Sequence, residues 1–497
     1  MPNPAIAVPQ VAATLDPNRW AALAVLLIGA FLAPLDFFIV NNAMPAITAG
    51  LNARSSDVQL VISGYAVVYA VFLITGGRLG DIYGRKSIFL LGLGGFALAS
   101  ALCGLAWSPL SLIVARLLQA LTAAAMAPQA LASVHALFPP HERGRALGIY
   151  GVTLGLSSIV GQLLGGALVG ADIGGYGWRL VFLINVPIVI VTILAAIPLL
   201  RETRGAHRPR LDIGGVVLSS LALASFVVPL VEGRERGWPL WSLLMLLTTP
   251  FFVEAFRRYE IRLAKTGGDP LIAMEVFQSP GLMRGLGAIL TLYAVATFFL
   301  SYSIYLQSAL RFTAWQAGLA ILPFSAGFLV ASTFSAAIGR WLGTSAPSLS
   351  YLMAAAGSIA TAAVVATHPA GVVPPWPLIV PALMLFGFGM GLAIPTMVRV
   401  IVERVAPAHA GLVGGMFNST LQVSAAVSIA VLGGLFYTAL GTRSDPAAVT
   451  HAFAVTLMAI ATCHIGGALL AIGLGQHRIA SRPAPPPSPA RCPNPGR

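Results

Sequence analysis

Two charged residues lie inside long apolar stretches of this chain, where a charge is costly and usually serves a function. Asp36 falls in the first such stretch and Arg116 in the fourth. A carboxyl group in apolar surroundings resists ionisation, whereas a nearby arginine favours it. A carboxylate whose distance from an arginine varies can therefore bind a proton in one conformation and release it in another. The alternatives are a static ion pair and a carboxylate that water already reaches from outside.

A second concentration of charge is the stretch GGRLGDIYGRK, residues 76–86. Arg78, Asp81, Arg85 and Lys86 stand there among glycines, with apolar runs on both sides. Glycine permits tight turns and close approach of backbones, so we predict a loop between two helices. Either this loop takes part in a conformational change, or its basic residues only anchor the cytoplasmic side of a membrane protein.

The sequence lacks the common motifs of hydrolytic enzymes, metalloproteases and ATP-driven pumps. It has no Gly-x-Ser-x-Gly, no His-Glu-x-x-His and no phosphate-binding loop. Cys103, Cys463 and Cys492 have neither the spacing of a metal site nor that of a disulfide framework. His464 is titratable near neutrality, but a lone histidine in an apolar run is more often hydrogen-bonded packing. We predict that the chain is not an enzyme and needs no metal or cofactor.

The elements that must position these groups are membrane-spanning helices. Hydrophobic residues make up 57% of the 497 residues, charged residues make up 9%, and the mean hydropathy is +0.85. A helix needs about 20 apolar residues to cross a hydrocarbon core of about 30 Å, and runs of that length recur along the chain. We predict fourteen spanning helices: 20–42, 57–78, 87–106, 109–131, 144–170, 178–200, 213–231, 238–257, 281–306, 314–340, 347–367, 375–399, 410–438 and 450–475.

The predicted helices place Asp36 and Arg116 at similar depths. Asp36 lies about 5 residues past the midpoint of the first helix, or roughly 7 Å at 1.5 Å per residue. Arg116 lies about 4 residues before the midpoint of the fourth helix, which runs in the opposite direction, or roughly 6 Å. The two side chains are therefore predicted to share a layer towards the outer face.

Basic residues predict the orientation of the chain. Of the 29 Lys and Arg residues, all but seven fall in the two termini and in alternate connections, and such an excess marks the cytoplasmic side. Both termini are therefore predicted to be cytoplasmic. This asymmetry also accounts for the net charge of +13, so we predict no nucleic-acid partner. The proline-rich segment 476–497 is predicted to be a disordered tail.

GRLGDIYGRK resembles the signature of the major facilitator superfamily between its second and third helices. The resemblance implies that Asp81 pairs with Arg85 and with the N-terminal end of a helix in the opposite half of the protein. A carboxylate at a helix N-terminus gains about 0.3 to 1 kcal/mol. Such a latch would stabilise the state that is closed to the cytoplasm. The residues of this predicted gate are Gly77, Asp81, Gly84, Arg85 and Lys86.

Four further stretches resemble motifs of the fourteen-helix drug:proton antiporters of that superfamily, the EmrB/QacA-like group. They are LDFFIVNNAMPAI (35–47), LIVARLLQA (112–120), WRLVFLINVPI (178–188) and YLQSALRFTAWQAGLAILP (305–323). The resemblance implies an all-α major facilitator fold, with two six-helix bundles and two helices inserted between them. The implied units are a cytoplasmic N-terminal segment (1–19), a first bundle (20–200), the inserted helices with their linkers (201–280), a second bundle (281–475) and the tail (476–497).

The fifth predicted helix carries GVTLGLSSIVGQLLGGALVG, which resembles the motif of antiporters within the superfamily. Glycines four residues apart let two helix backbones pack closely. Gln162 stands where the family has proline, so a proline kink is not expected here. The residues assigned to this motif are Gly155, Gly161, Gln162, Gly165 and Gly166.

Polar and aromatic residues near Asp36 and on the ninth predicted helix are candidates for a substrate cavity. Packing is the ordinary role of aromatic residues in a helix, but rings around one carboxylate would also suit lipophilic cations through cation–π attraction. Lipid cannot satisfy the polar side chains, so these are predicted to face the protein interior or a cavity. The candidates are Phe37, Asn41, Gln119, Phe298, Tyr302 and Tyr305.

The resemblance implies proton-coupled export of hydrophobic, mainly cationic drugs or other toxic small molecules by alternating access. The chain is predicted to act as a monomer in the cell (inner or plasma) membrane, with protons, a small-molecule substrate and the lipid bilayer as its partners. An exporter dedicated to one metabolite or antibiotic and a proton-coupled uptake symporter remain open as alternatives.

Overall fold

The computed structural model describes residues 17–204, 210–272, 274, 281–402 and 410–474. Within these ranges every long element is a helix. The α-helices are α1 (Arg19–Leu51), α2 (Ser55–Tyr83), α3 (Arg85–Gly104), α4 (Pro109–Leu137), α5 (Pro140–Ala171), α6 (Leu180–Leu183), α7 (Asn185–Leu199), α8 (Ile213–Glu235), α9 (Leu240–Lys265), α10 (Leu282–Leu292), α11 (Val295–Ile304), α12 (Ala314–Ala320), α13 (Leu322–Leu342), α14 (Ala346–Thr367), α15 (Trp376–Val402), α16 (Ala410–Leu440) and α17 (Pro446–Ala471).

Twelve stretches of the described residues are long and apolar enough to cross a membrane. One of them, Ala314–Thr367, has 54 residues and contains α12, α13 and α14, which the sequence predicted as two spans. Within α5, Ile159–Ala171 forms a shorter apolar helix. The predicted count of fourteen is thus not reproduced among the described residues, because one continuous helical stretch counts once and the first part of α5 is only partly described.

Three of the predicted spans are interrupted. The sixth consists of α6 and α7, which are separated at Ile184. The ninth consists of α10, α11 and a π-helical turn (Tyr305–Ala309), and the tenth breaks between α12 and α13 at Ile321. The start of α12 has its own signal, because Thr313 and Gln316 form a capping box: the Gln316 N–H donates to Thr313 Oγ1 at 3.2 Å, and the Thr313 N–H donates to Gln316 Oε1 at 2.9 Å. Apolar length alone does not reveal such breaks.

The helices form two groups with a separate pair beside them. Helices α1 to α7 pack on one another, as do α10 to α17, and the two groups meet where α1 and α5 touch α11 and α12 and where α2 lies along α16. Helices α8 and α9 form a hairpin in which α8 rests on α2 and α16 while α9 packs mainly on α8. Most of the apolar part of α9 is exposed in the isolated chain, as expected for a face that lipid would cover.

The GGRLGDIYGRK stretch is not a loop as the sequence analysis predicted. Helix α2 continues through Asp81 to Tyr83, Gly84 forms a one-residue break with φ +111°, and α3 begins at Arg85. A positive φ favours glycine, so Gly84 alone makes the turn. Gly77 and Gly80 lie within α2, and their predicted part in a tight turn is wrong.

Candidate functional site

Asp36 lies at the centre of a buried polar network that joins three helices. Its Oδ2 atom accepts a hydrogen bond from Arg116 Nη1 in α4. Its Oδ1 atom accepts from Gln119 Nε2 in α4 at 2.9 Å and from Asn185 Nδ2 in α7 at 3.0 Å. All four side chains are buried. The carboxylate therefore has three donors and is not exposed to solvent in this conformation.

The two residues of α4 are fixed by each other and by further groups. Arg116 and Gln119 are three residues apart and share a helix face, and Arg116 Nη1 donates to Gln119 Oε1 at 2.6 Å. Gln119 Nε2 also donates to Ser100 Oγ of α3 at 2.7 Å. The Arg116 guanidinium lies 4.2 Å from the centroid of the Tyr65 ring in α2, a cation–π contact. The network thus reaches four helices besides α1.

In a buried ion pair, each charge is stabilised by the opposite charge of its partner. Removing one partner of a buried pair typically costs about 3–5 kcal/mol, since the remaining charge stays buried. Protonation of Asp36 would have a similar effect, because a neutral carboxyl no longer balances Arg116. Arg116 Nη2 and Asn185 Oδ1 have no hydrogen-bond partner among the described residues. The network therefore has spare donor and acceptor capacity for a rearrangement.

Three members of this network were not singled out from the sequence: Tyr65, Ser100 and Asn185. Helical depth could be counted along each predicted helix, but the rotation of a helix about its axis could not. Asn185 carried the clearest signal, since it is the polar residue within the apolar run LVFLINVPI. Lipid cannot satisfy an amide, so Asn185 had to face other helices.

The structure brings Asp81 and Arg85 together at the break between α2 and α3. Arg85 Nη2 lies 2.9 Å from Asp81 Oδ1, and Arg85 Nη1 donates to the Ala132 carbonyl of α4 at 3.0 Å. Glu202, in the segment after α7, accepts from the backbone N–H groups of Lys86 at 3.0 Å and Ser87 at 3.1 Å. A carboxylate at a helix N-terminus is favoured by the helix dipole.

The sequence analysis identified no particular helix of the opposite half as the second partner of Asp81, and part of that half is not described. The segment before α16, residues 403–409, and the side chains of the first turns of α16 lie outside the described residues. The role of Asp81 as a latch therefore stays a prediction.

We expect Asp81→Asn to lower the transport rate by roughly tenfold, equivalent to about 1.4 kcal/mol in the barrier, while the melting temperature changes little. The pair is partly exposed, and exposed ion pairs contribute only about 0–1 kcal/mol to stability. Transport in reconstituted vesicles and thermal unfolding in detergent measure the two effects. Glu254→Gln is the matched control, because Glu254 also pairs with arginines one turn away. Normal turnover of Asp81→Asn would contradict the latch.

The glycines of α5 lie against two different helices. A Cβ atom at Gly161 would lie 2.8 Å from the Leu35 carbonyl oxygen of α1, and one at Gly165 would meet the Ile39 carbonyl oxygen. At Gly166 the neighbour is instead the Ala314 carbonyl of α12. These positions have no room for a side chain.

Gln162 contributes its backbone rather than its side chain to the contacts around α5. Asn42 Nδ2 donates to the Gln162 carbonyl at 2.7 Å, and Gln307 Nε2 donates to the Asn42 carbonyl at 3.2 Å. These bonds join α1, α5 and the π-helical turn. The surroundings of Gly155 lie outside the described residues. At Gly77 a Cβ would find only Pro128 Cβ, at the ordinary contact distance of 3.7 Å.

The three aromatic candidates of α11 and the π-helical turn pack inside the second group of helices. Phe298 stacks on Tyr302 with 5.0 Å between ring centroids, and Tyr305 stacks on Phe453 of α17 at 4.8 Å. Phe298 is fully buried. In this conformation these rings pack on one another and do not line an open cavity.

The remaining cavity candidates lie beside Asp36 in sequence or in space. Phe37 packs near Tyr65 with 6.3 Å between ring centroids. Asn41 Nδ2 donates to the Phe37 carbonyl of its own helix at 3.1 Å, whereas Asn41 Oδ1 has no partner among the described residues. Gln119 belongs to the Asp36 network. A part of these residues in substrate binding stays a prediction.

His464, the other titratable candidate, is enclosed between aromatic rings. Its ring centroid lies 5.9 Å from that of Phe386 and 6.2 Å from that of Tyr351, and Nε2 lies 3.3 Å from the Leu292 carbonyl. No charged group contacts it among the described residues. This environment fits packing with one hydrogen bond.

Comparison with known proteins identifies the class. The sequence profile described as Major Facilitator Superfamily matches residues 26–429. The probable actinorhodin transporter of Streptomyces coelicolor is 36% identical over 86% of this chain and 74% of its own. The puromycin resistance protein pur8 of Streptomyces alboniger is 35% identical over 84% of this chain and 82% of its own. This chain therefore belongs to the major facilitator superfamily, and it is a multi-pass membrane transporter rather than an enzyme.

The fold agrees with solved structures of membrane transporters. An inward-facing bacterial homologue of the human lysosomal transporter Spinster matches with a TM-score of 0.68 and 17% identity, over 93% of this chain and 98% of that one. At this identity the likeness concerns the fold alone.

Proposed function

We propose that this protein is a proton-coupled exporter of hydrophobic toxic small molecules, mainly lipophilic cations, that works by alternating access. Superfamily membership and the transport and resistance functions for which the relatives are named support export. Besides the two transport and resistance proteins named above, the tetracenomycin C resistance and export protein of Streptomyces glaucescens is 31% identical over 86% of this chain. The observation that carries proton coupling is Asp36, a fully buried carboxylate bonded to α4 and α7.

The proposed coupling step is the exchange of a proton on Asp36. In the ionised state, Arg116, Gln119 and Asn185 hold the carboxylate and so hold α1 against α4 and α7. A proton on Asp36 neutralises the acceptor of Arg116 and weakens that hold. Because α1 also packs along α5 and touches α11 and α12, its release changes the interface between the two groups of helices. Protonation thereby shifts the balance between the two conformations.

Gln162 and its neighbours form the proposed outer closure. Asn42 lies near the predicted outer end of α1, where it donates to the Gln162 carbonyl of its own group and accepts a hydrogen bond from Gln307 of the other group. Gly166 lets α5 approach α12 at the same end. These contacts support a conformation that is closed towards the outside. Opening would separate α5 from α12, while the glycine contacts between α5 and α1 would persist.

The finer architecture belongs to the same proposal. We infer fourteen spanning helices, with α12–α13 and α14 crossing separately and α5 crossing once, and with both termini in the cytoplasm. Residues 20–200 and 281–475 form the two bundles, and α8 and α9 within 201–280 are the inserted pair. Segments 1–19 and 476–497 are cytoplasmic. The protein is expected to act as a monomer, driven by the proton gradient without a cofactor.

A dedicated antibiotic exporter is the second candidate. Its support is that each of the three relatives above is named after a single compound. A panel of compounds separates it from the broad exporter. In an efflux-deficient bacterial host, the broad exporter raises tolerance to several unrelated lipophilic cations, whereas the dedicated exporter protects against one chemical family only.

Everted membrane vesicles test the direction and energy source of transport. The proposal predicts that an inward-acidic gradient drives accumulation of ethidium in these vesicles and that a protonophore abolishes it. Accumulation that persists with the protonophore would exclude proton coupling. Accumulation in right-side-out vesicles instead would indicate uptake.

A further inference from the structure

Two buried carboxyl groups face each other at the predicted cytoplasmic end of the α8–α9 hairpin. Asp212 immediately precedes α8, Glu260 lies in the last turns of α9, and both are buried. An ideal Cβ built at Gly215 would meet both Asp212 Oδ2 and Glu260 Oε1. Asp212 Oδ2 and Glu260 Oε1 therefore both lie beside Gly215, where the absence of a side chain leaves room for them.

The same short segment of chain satisfies one oxygen of each carboxyl group. The Leu271 N–H donates to Asp212 Oδ2 at 2.9 Å, and the Ile272 N–H donates to Glu260 Oε2 at 2.9 Å. Asp212 Oδ1 accepts from the Gly215 N–H at 2.7 Å. Glu260 Oε1 has no hydrogen-bond partner among the described residues. Two buried carboxyl groups in such proximity disfavour a second negative charge, so one of them is favoured to carry a proton.

The opposite side of this segment binds the GGRLGDIYGRK stretch. Arg78 of α2 donates to the carbonyl of Asp269 at 2.8 Å, to that of Arg210 at 3.3 Å and to that of Pro270. The Arg210 N–H donates to Asp269 Oδ2 at 2.8 Å. Segment 269–272 is therefore held by the carboxyl pair on one side and by Arg78 on the other.

We propose that Asp212 and Glu260 form a cytoplasmic proton-binding site that ties the inserted helix pair to α2 through segment 269–272 and Arg78. With one shared proton, the two carboxyl groups hydrogen-bond to each other and accept the two N–H groups of the segment. Without it, two adjacent carboxylates repel each other, the hairpin end opens, and the segment loosens its hold on Arg78. This site is separate from Asp36 and does not depend on what the protein exports.

The surroundings of Glu260 support retention of a proton at neutral pH. The last turns of α9 carry Arg257, Arg258, Arg262 and Lys265 and so extend beyond the apolar span. Burial raises the pKa of Glu260 to about 8, and the adjacent Asp212 carboxylate adds to this rise because it can accept a hydrogen bond only from the protonated form of Glu260. The charged or titratable groups around the pair are Asp212, Tyr259, Arg78, Asp269 and Arg210.

The sign of the pH effect follows from this shift. The unperturbed value of the Glu260 carboxyl is 4.5, so the folded protein holds the proton more tightly than the unfolded chain does. The protonated pair therefore adds to the free energy of unfolding. This stabilisation is complete below pH 4.5 and falls as pH rises towards about 8. In the native protein, the shared proton itself is lost around pH 8.

Hydrogen exchange of the full-length protein in detergent tests the proposed site. Protection of segment 269–272, corrected for the intrinsic effect of pH on exchange, should fall about tenfold between pH 7 and pH 9, as for one proton lost near pH 8. Glu260→Gln mimics the protonated partner, so its protection should not depend on pH. Glu254→Gln removes an exposed carboxylate of the same helix and should keep the wild-type dependence. An equal pH dependence in wild type and Glu260→Gln would overturn the proposal.

Infrared spectroscopy gives a second measurement that does not depend on local opening. At pH 7 the wild-type protein should show the C=O band of an un-ionised carboxylic acid that is lost with a midpoint near pH 8 and is missing in Glu260→Gln. Asp212→Asn removes the repelling neighbour, so the remaining Glu260 band should disappear at a lower pH. A wild-type spectrum in which no carboxylic-acid band titrates between pH 7 and pH 9 would also overturn the proposal.

Discussion

Asp36→Asn is expected to reduce the rate of proton-driven export at least about a hundredfold, which corresponds to an increase of about 2.7 kcal/mol in the activation free energy. Asparagine has nearly the same shape and can still accept hydrogen bonds from Gln119 and Asn185. It has neither a negative charge for Arg116 nor a site that takes up and releases a proton. Uptake of a lipophilic cation into everted vesicles measures the loss, while passive exchange of a neutral substrate should persist because the transport path remains.

Two controls separate coupling from folding. Asp57→Asn makes the same chemical change in a carboxylate that pairs with Arg54 at the start of α2, and it should keep most of the activity. The double variant Asp36→Asn, Arg116→Gln removes both members of the buried pair, so it should recover much of the stability that the single variant loses without recovering proton-driven export. Full export by Asp36→Asn, or restored coupling in the double variant, would show that the proton binds elsewhere.

Gly165→Leu is expected to abolish transport by forcing α5 away from α1. A Cβ at this position would already meet the Ile39 carbonyl oxygen, and one turn earlier a Cβ at Gly161 would lie 2.8 Å from the Leu35 carbonyl oxygen. Overpacking of this kind typically costs about 1–3 kcal/mol, and here it also displaces the helix that carries Asp36. We expect a lower melting temperature and no export above that of vesicles without the protein.

Gly94→Leu is the matched control for the glycine substitution. Gly94 lies within α3, and a Cβ there would meet nothing within 4 Å. The same increase in volume should therefore leave export and thermal stability near the wild-type values. Full activity of Gly165→Leu at normal expression would show that close packing of α5 and α1 is not required for transport.

The sequence predicted how deep a residue lies in the membrane better than it predicted which neighbouring helix its side chain faces. Counting residues at 1.5 Å each placed Asp36 and Arg116 in one layer, and the two side chains are in contact. The same count could not show which helices face that layer, so Tyr65, Ser100 and Asn185 were missed. The rotation of a helix depends on packing against its neighbours, which no single helix encodes.

Helix ends and interruptions were the other features that hydropathy could not provide. The apolar pattern ended the second helix before Asp81, whereas hydrogen bonding continues α2 to Tyr83 and only Gly84 breaks it. Polar residues are tolerated in the last turns of a helix that extends beyond the bilayer, so their presence does not mark its end. The break between α10 and α11 in the ninth predicted helix lies within apolar sequence. The break at Ile321 in the tenth precedes Pro323, a helix-start signal that hydropathy does not include.

Aromatic residues illustrate a different limit of the sequence. Phe298, Tyr302 and Tyr305 fall on one side of a helix, a pattern that fits either a cavity wall or a packed interior. In this conformation they pack against one another and against Phe453. The choice depends on residues far away in the chain, and spacing within one helix does not contain that information.

Proton release on substrate binding tests the central claim most directly. Purified protein in weakly buffered detergent solution is mixed with ethidium, and the pH of the solution is followed. The proposed mechanism predicts that wild type releases protons as ethidium binds and that Asp36→Asn binds ethidium without this release. Equal release from wild type and Asp36→Asn would contradict coupling at Asp36, and His464 would then be the next residue to test.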